Sequence, residues 1–246
     1  MKSDYRKKLF DNYAKTHTDH IDQGDQDKLD WFKKYIFTNY IEVIQDIDKD
    51  SSCILEIGCN KGYLVNVLSG FGFKNLIGID LSVDDLEKAK ELNSEADFFC
   101  MDAFDYLQDK KNFFDLIIMK AVLEHVSKEK TLLIIKMLKD SLKSGGTLLV
   151  DVPNMDWLFA SHERYMDFTH EVGFTKESLS QVLYTQFSSV SIFPVDHQFP
   201  VSFYDGLRTR IGQYLISKLL TWADAQGAGN HIWSRNIIAI ATKKDF

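Results

Sequence analysis

Short apolar runs alternate with amphipathic stretches through the middle of the chain. Cys53-Ile54-Leu55-Glu56-Ile57 reads as a buried strand, and a helix opens at Gly62 and runs to about Leu68. Leu76-Ile77-Gly78-Ile79 is a second strand, ended by Asp80. Ser82 then stands where an N-cap belongs, with Asp84, Asp85 and Glu87 in the first turns of a helix reaching about Leu92. Residues 96–100 and 113–119 give two more strands. Residues 128–142 form a helix closed by Ser144-Gly145-Gly146, and 147–152 are a fifth strand ended by Pro153. Further on, Thr175 caps a helix to about Tyr184, residues 187–193 are a sixth strand and 231–242 a last one.

The link between the last two strands is too long for a simple connection. Leu207, Ile211, Tyr214, Leu215, Leu219 and Trp222 recur in it at helical spacing, which predicts a helical insertion within about 195–230. Residues 1–26 are polar apart from Tyr5, Phe10 and Tyr13. From Asp27 onward Leu29, Phe32, Phe37, Tyr40, Ile41 and Ile44 mark a helix. The reading therefore divides the chain into an arm and helix at 1–49 and a main domain at 50–246.

Strands that are apolar throughout, separated by amphipathic helices, predict a parallel sheet covered on both faces. The expected fold is α/β, a doubly wound, Rossmann-like sheet of about seven mostly parallel strands. An antiparallel α+β arrangement fits the rhythm less well.

Composition narrows the partners. Asp and Glu number 36 against 29 Lys and Arg, a net charge of −7, which disfavours binding to a nucleic-acid backbone. Three cysteines without CxxC spacing suit a reducing compartment. No apolar run suggests a signal peptide or a membrane span. A cytoplasmic protein is expected, and a homodimer is compatible with this.

The densest chemistry follows the first strand. Gly58 permits a tight turn against which a ligand can lie, Gly62 lets the next helix pack closely, and the amides at the helix start favour an anion. With Asn60 in place of a second glycine, the turn lacks the dinucleotide pattern, and it is not a P-loop. Asp80, about 20 residues on, is placed to accept the hydroxyls of a ribose. Asp102 is placed either for an adenine amine or to cap the next helix. His125 follows the fourth strand, and His170 lies in an aromatic and acidic segment, 154–174. Either histidine suits a general base. No zinc spacing is present, so no metal site is assigned, although His162, Glu163, Asp167 and His170 lie close together in sequence.

Leu55-Glu56-Ile57-Gly58-Cys59-Asn60-Lys61-Gly62, Gly78-Ile79-Asp80-Leu81-Ser82, Met101-Asp102-Ala103, Phe114-Asp115-Leu116-Ile117-Ile118, Leu123-Glu124-His125-Val126 and Leu142-Lys143-Ser144-Gly145-Gly146-Thr147-Leu148 occur in that order. Together they resemble the class I S-adenosylmethionine-dependent methyltransferases, with Asn60-Lys61 as a departure. The resemblance implies S-adenosylmethionine as cofactor and S-adenosylhomocysteine as product. It implies that Glu56, Gly58, Cys59, Asn60 and Gly62 surround the methionine part, and that Asp80 holds the ribose. Leu81, Asp102 and Ala103 would meet the adenine, with Lys120 and Val122 on the sulfonium side. Asp115 would order the strand start.

The stretch from Arg164 to Leu179 is similar to one in methyltransferases of bacterial surface-polysaccharide synthesis. It implies methyl transfer to an oxygen of a sugar or sugar-linked group, on a small-molecule or glycan-precursor substrate. A phosphoryl-type capsule precursor, a small metabolite and a non-catalytic cofactor-binding subunit stay open as alternatives. Tyr165, Arg164, Tyr204 and Arg208 are expected to bind the acceptor, and Tyr13 with His17 to close over the cofactor from the arm.

Overall fold

The computed structural model describes Leu9 and residues 25–196, 203–223 and 232–244. Seven strands form one sheet: β1 Cys53–Ile57, β2 Asn75–Asp80, β3 Asp97–Cys100, β4 Phe114–Lys120, β5 Leu142–Pro153, β6 Ser189–Pro194 and β7 Asn236–Thr242. Their spatial order is β3-β2-β1-β4-β5-β7-β6. The first five run parallel, and β7 pairs antiparallel with both β5 and β6. The order reverses between β1 and β4, so the crevice at the carboxyl ends of these strands is the natural ligand site of such a sheet. The expected fold is observed.

Besides a single helical turn at Ile41–Ile44, the helices in chain order are α1 Asp25–Asn39, α2 Tyr63–Gly70, α3 Val83–Leu92, α4 Ala103–Leu107, α5 Lys128–Ser141, α6 Ala160–Tyr165, α7 Lys176–Leu183 and α8 Phe203–Ala223. Two apolar layers sandwich the sheet. Leu55, Ile57, Ile117, Met119, Leu148 and Val150 face α5 and α7. Ile54, Leu116, Ile118 and Leu149 face α2 together with Tyr35, Ile36, Tyr40 and Ile44. This two-sided burial is why the strands read as unbroken apolar runs.

Local capping chemistry behaves as the residues dictate. The Ser82 hydroxyl accepts from the Asp85 amide at 3.2 Å. Thr175 and Ser178 form a reciprocal capping box at the start of α7.

Two expectations are revised. α5 ends at Ser141 rather than beside the glycines, because Leu142 turns extended and begins β5 directly. Gly145 and Gly146 instead build an irregularity in the β4–β5 pairing. Gly145 has φ +75°, and a Cβ on Gly146 would lie 2.9 Å from the Lys143 carbonyl oxygen. Residues 25–49, set apart in the sequence reading, belong to the domain: Tyr35, Ile36 and Tyr40 are fully buried in its core. Helix α8 occupies the predicted insertion between β6 and β7.

Candidate functional site

β1 delivers Glu56 and the turn at Gly58 to the crevice. Gly58 has φ +73°, and a Cβ there would stand 2.3 Å from Cγ2 of Val122, which follows β4. The two chain segments therefore meet across a position that only glycine fills. Gly62 also has a positive φ, but its close neighbours are Ala89 of α3 and Phe98 of β3. It serves helix–helix approach as much as helix–strand packing. Gly58→Ala combines backbone strain with overpacking and is expected to lower stability by about 2 kcal/mol or more. Urea unfolding checks this, and an unchanged midpoint would show that Val122 moves aside freely.

The amides of the turn are occupied within the protein. Those of Gly58 and Cys59 donate to the Ile79 carbonyl, and that of Gly62 to the Cys59 carbonyl. The Asn60 amide donates to Asp80 Oδ2 at 2.8 Å. These four amides are thus not an open anion cradle. The Cys59 side chain is buried, and burial pushes its thiol upward. Asn60, at φ +48°, donates through its side chain to the buried Asp85.

Glu56 is buried, and its Oε2 has no hydrogen-bond partner among the described residues. Burial first, and Asp80 second, push its carboxyl well above the usual carboxylate range; Lys120 and the Val65 amide of α2 oppose them. Such an orphaned acceptor beside a glycine turn fits a cationic amino group. Asp80 fixes its carboxylate by accepting from Asn60 and, through Oδ1, from the Ser82 amide at 2.9 Å. Each carboxylate oxygen keeps acceptor capacity for a hydroxyl. Leu81 beside it is exposed and apolar, as an adenine platform needs. Asp102 caps α4 by accepting from the Phe104 amide at 2.8 Å, and Ala103 is partly buried behind it. Asp115 orders the start of β1 by accepting from the Cys53 amide, and it pairs with Lys143.

The Lys120 side chain lies inside the domain, 3.6 Å from Asp151 and 4.8 Å from the Tyr35 ring centroid. Asp151 is fully buried. It accepts from the hydroxyls of Tyr35 and Tyr40 and, at 3.0 Å, from Asn236. This network ties α1 to the β4–β5–β7 part of the sheet.

The two candidate bases come together. Their ring centroids are 4.7 Å apart in an edge-on arrangement. Thr169 Oγ1 donates to Asp167 at 2.7 Å and lies 2.8 Å from His125 Nδ1. The single hydroxyl proton is engaged with the carboxylate, so Nδ1 of His125 carries the proton it donates to Thr169. His170 Nδ1 lies 2.8 Å from the Glu163 carbonyl, which only accepts, so that nitrogen is also protonated. In the neutral rings both lone pairs sit on Nε2. The sequence reading missed Glu124 as a functional residue. It is 2% exposed, neither carboxylate oxygen has a hydrogen-bond partner among the described residues, and burial pushes it up to about 8.

An open groove of about 440 Å³ is lined by Arg164, Tyr165, Asp167, Phe168, His170 and Glu171. Tyr165 and Phe168 are strongly exposed along it. Arg164 braces the loop, donating to the carbonyls of His170 at 2.6 Å and Glu171 at 3.1 Å. Two of its donors are thereby engaged within the protein, while the side chain still lines the groove. The sequence cluster of His162, Glu163, Asp167 and His170 also disperses: His162 is exposed, Glu163 pairs with Arg235 at 3.0 Å, and Asp167 holds Thr169. Arg208 is exposed on α8, and Tyr204 lies in the same helix with its side chain outside the described residues. Tyr13 and His17 also lie outside them.

Solved structures share this architecture. A methyltransferase from Archaeoglobus fulgidus, described as dependent on S-adenosylmethionine, aligns with TM-score 0.64 and 21% identity over 87% of this chain and 94% of its own. The plantazolicin methyltransferase BpumL in complex with S-adenosylhomocysteine aligns with TM-score 0.57 and 18% identity, covering 99% and 92%. The Haemonchus contortus phosphoethanolamine N-methyltransferase 2 reaches TM-score 0.62 at 17% identity, covering 96% of this chain and 61% of its own. These identities carry the fold alone. No curated protein matches the sequence. A family model described as a methyltransferase domain, however, matches residues 32–235, and the chain belongs to that methyltransferase family.

Proposed function

We propose that this S-adenosylmethionine-dependent methyltransferase acts on an oxygen of a sugar or sugar-linked group in bacterial glycan or capsule synthesis. The supporting observation is the pair His125 and His170, oriented by Thr169 and the Glu163 carbonyl, beside a groove with exposed Tyr165 and Phe168. A hydroxyl must lose its proton as it attacks, and imidazole nitrogens suit that task. Exposed aromatic faces suit the apolar face of a sugar ring. The similarity of the stretch from Arg164 to Leu179 to polysaccharide-linked methyltransferases points the same way.

When bound, the cofactor supplies a methyl carbon activated by its sulfonium. Glu56 then holds the amino group, Asp80 the ribose hydroxyls, and Leu81, Asp102 and Ala103 frame the adenine. Val122 packs against Gly58 and closes the wall on the reacting side. The His125–His170 pair positions and activates the acceptor hydroxyl.

Two predictions test the binding half. Asp80→Ala is expected to weaken S-adenosylmethionine about tenfold or more, since charge-assisted hydrogen bonds are worth about 1.5–3 kcal/mol; unchanged affinity by calorimetry removes Asp80 from the site. Glu56 has a raised pKa, so between its ordinary and raised values it is protonated in the ligand-free protein. An incoming ammonium favours the ionised form, so binding releases a proton and affinity rises with pH through that window. Titrations in buffers of different ionisation enthalpy should show this release, and Glu56→Gln should remove it. Incubation of the enzyme with labelled cofactor and a panel of sugar, nucleotide-sugar and small-metabolite acceptors tests the acceptor class.

A further inference from the structure

We propose that Glu124, His125 and His170 form a binding site for one first-row divalent transition-metal ion, which orients and acidifies the acceptor hydroxyl. The purpose assigned to the ion rests on the oxygen-transfer reading above; the site itself does not.

One ligand atom from each residue lies within 4.8 Å of the others. The three come from two segments that are fastened together. Glu124 and His125 sit on the 3₁₀ turn Leu123–His125 after β4, and the amides of Glu171 and Val172 both donate to the Glu124 carbonyl. Arg164 grips the carbonyls of His170 and Glu171 from the other side.

The side-chain environment matches what a cation needs. Glu124 is buried with both carboxylate oxygens lacking hydrogen-bond partners among the described residues. A carboxylate is not kept ionised there without compensation, and a cation supplies it. Both histidines have their Nδ1 protons directed to oxygens, Thr169 for His125 and the Glu163 carbonyl for His170, so each lone pair is on Nε2. Metal-binding histidines are oriented in this way, with the second ring nitrogen donating to a carboxylate, a carbonyl or a group linked to one. Here the chain from His125 runs through Thr169 to the carboxylate of Asp167. Two imidazoles and one carboxylate select transition ions over magnesium or calcium, and three protein ligands leave positions open for a substrate oxygen.

The chemistry balances without a further reagent. With both Nε2 lone pairs on the ion, the histidines act as ligands in place of a direct base: the acceptor oxygen binds the ion, its O–H becomes more acidic, and the proton passes to solvent. The oxygen lone pair forms the new C–O bond, the C–S bond breaks, and its electron pair stays on sulfur to leave neutral S-adenosylhomocysteine.

The test uses the full chain without a polyhistidine tag, stripped of metal and titrated with Co²⁺ by visible absorption and with Zn²⁺ by calorimetry. One ion per chain is expected, with affinity falling at least tenfold in Glu124→Gln and in His170→Ala. Thr169→Val, which keeps all three ligands, is expected to lose about 10–100-fold. Retained S-adenosylmethionine affinity certifies that each variant is folded. Wild-type protein that binds S-adenosylmethionine but not Co²⁺ or Zn²⁺, or binding indifferent to these substitutions, overturns the site. Full turnover on a hydroxyl acceptor by metal-free enzyme overturns the ion's catalytic purpose but leaves the acceptor class standing. One-to-one metal binding with transfer only to non-hydroxyl acceptors upholds the site and defeats the acceptor class.

Discussion

Replacing His125 or His170 with alanine is expected to lower turnover on a hydroxyl acceptor by roughly 10²–10⁴-fold, the usual value of a group that helps the acceptor lose its proton. Cofactor affinity should stay nearly unchanged, because Glu56 and Asp80 lie on β1 and β2, away from the loop that carries His170. The rings are 4.7 Å apart and share one environment, so their effects should be strongly non-additive. The double variant should be little worse than the worse single one. Single-turnover measurements with saturating cofactor check both points. Near-wild-type turnover in both single variants would leave catalysis to positioning alone.

The largest loss of stability is expected at Asp151. Asp151→Ala leaves Lys120 without its buried counter-charge and strips an acceptor from Tyr35, Tyr40 and Asn236. Breaking one side of a buried ion pair costs about 3–5 kcal/mol. Urea unfolding of the variant should show a loss in that range, and α1 should lose amide-exchange protection first. A loss below about 1 kcal/mol would mean that the two tyrosines find water or other partners. Tyr35→Phe and Tyr40→Phe, which remove one donor each, should cost about 1 kcal/mol apiece.

Most of the sheet was legible because its strands carry local, unbroken apolar runs and its helices carry caps such as Ser82 and Thr175. The glycine turn was legible for a similar reason: Gly58 and Asp80 act within one β–α–β unit. What escaped depends on contacts between distant residues. Nothing near Asp151 in sequence points to Tyr35 and Tyr40, more than a hundred positions away. Glu124 entered only as part of the run Leu123-Glu124-His125-Val126, and only the packing of 163–172 onto the β4 end shows it buried beside two histidines. The bracing of the His170 and Glu171 carbonyls by Arg164 likewise shows only once the helix and the following loop are seen packed together. The glycines after α5 were assigned to a helix end, whereas the register change between β4 and β5 requires them.

The decisive measurement follows the methyl group itself. The enzyme is incubated with S-adenosylmethionine labelled with ¹³C in its methyl group and with sugar and nucleotide-sugar acceptors, and the product carbon is located by NMR. The account predicts a labelled methoxy group on a sugar or sugar-linked oxygen, lost in His125→Ala and His170→Ala. Label on nitrogen, carbon or sulfur, or no transfer to any hydroxyl acceptor by protein that binds the cofactor, would contradict it.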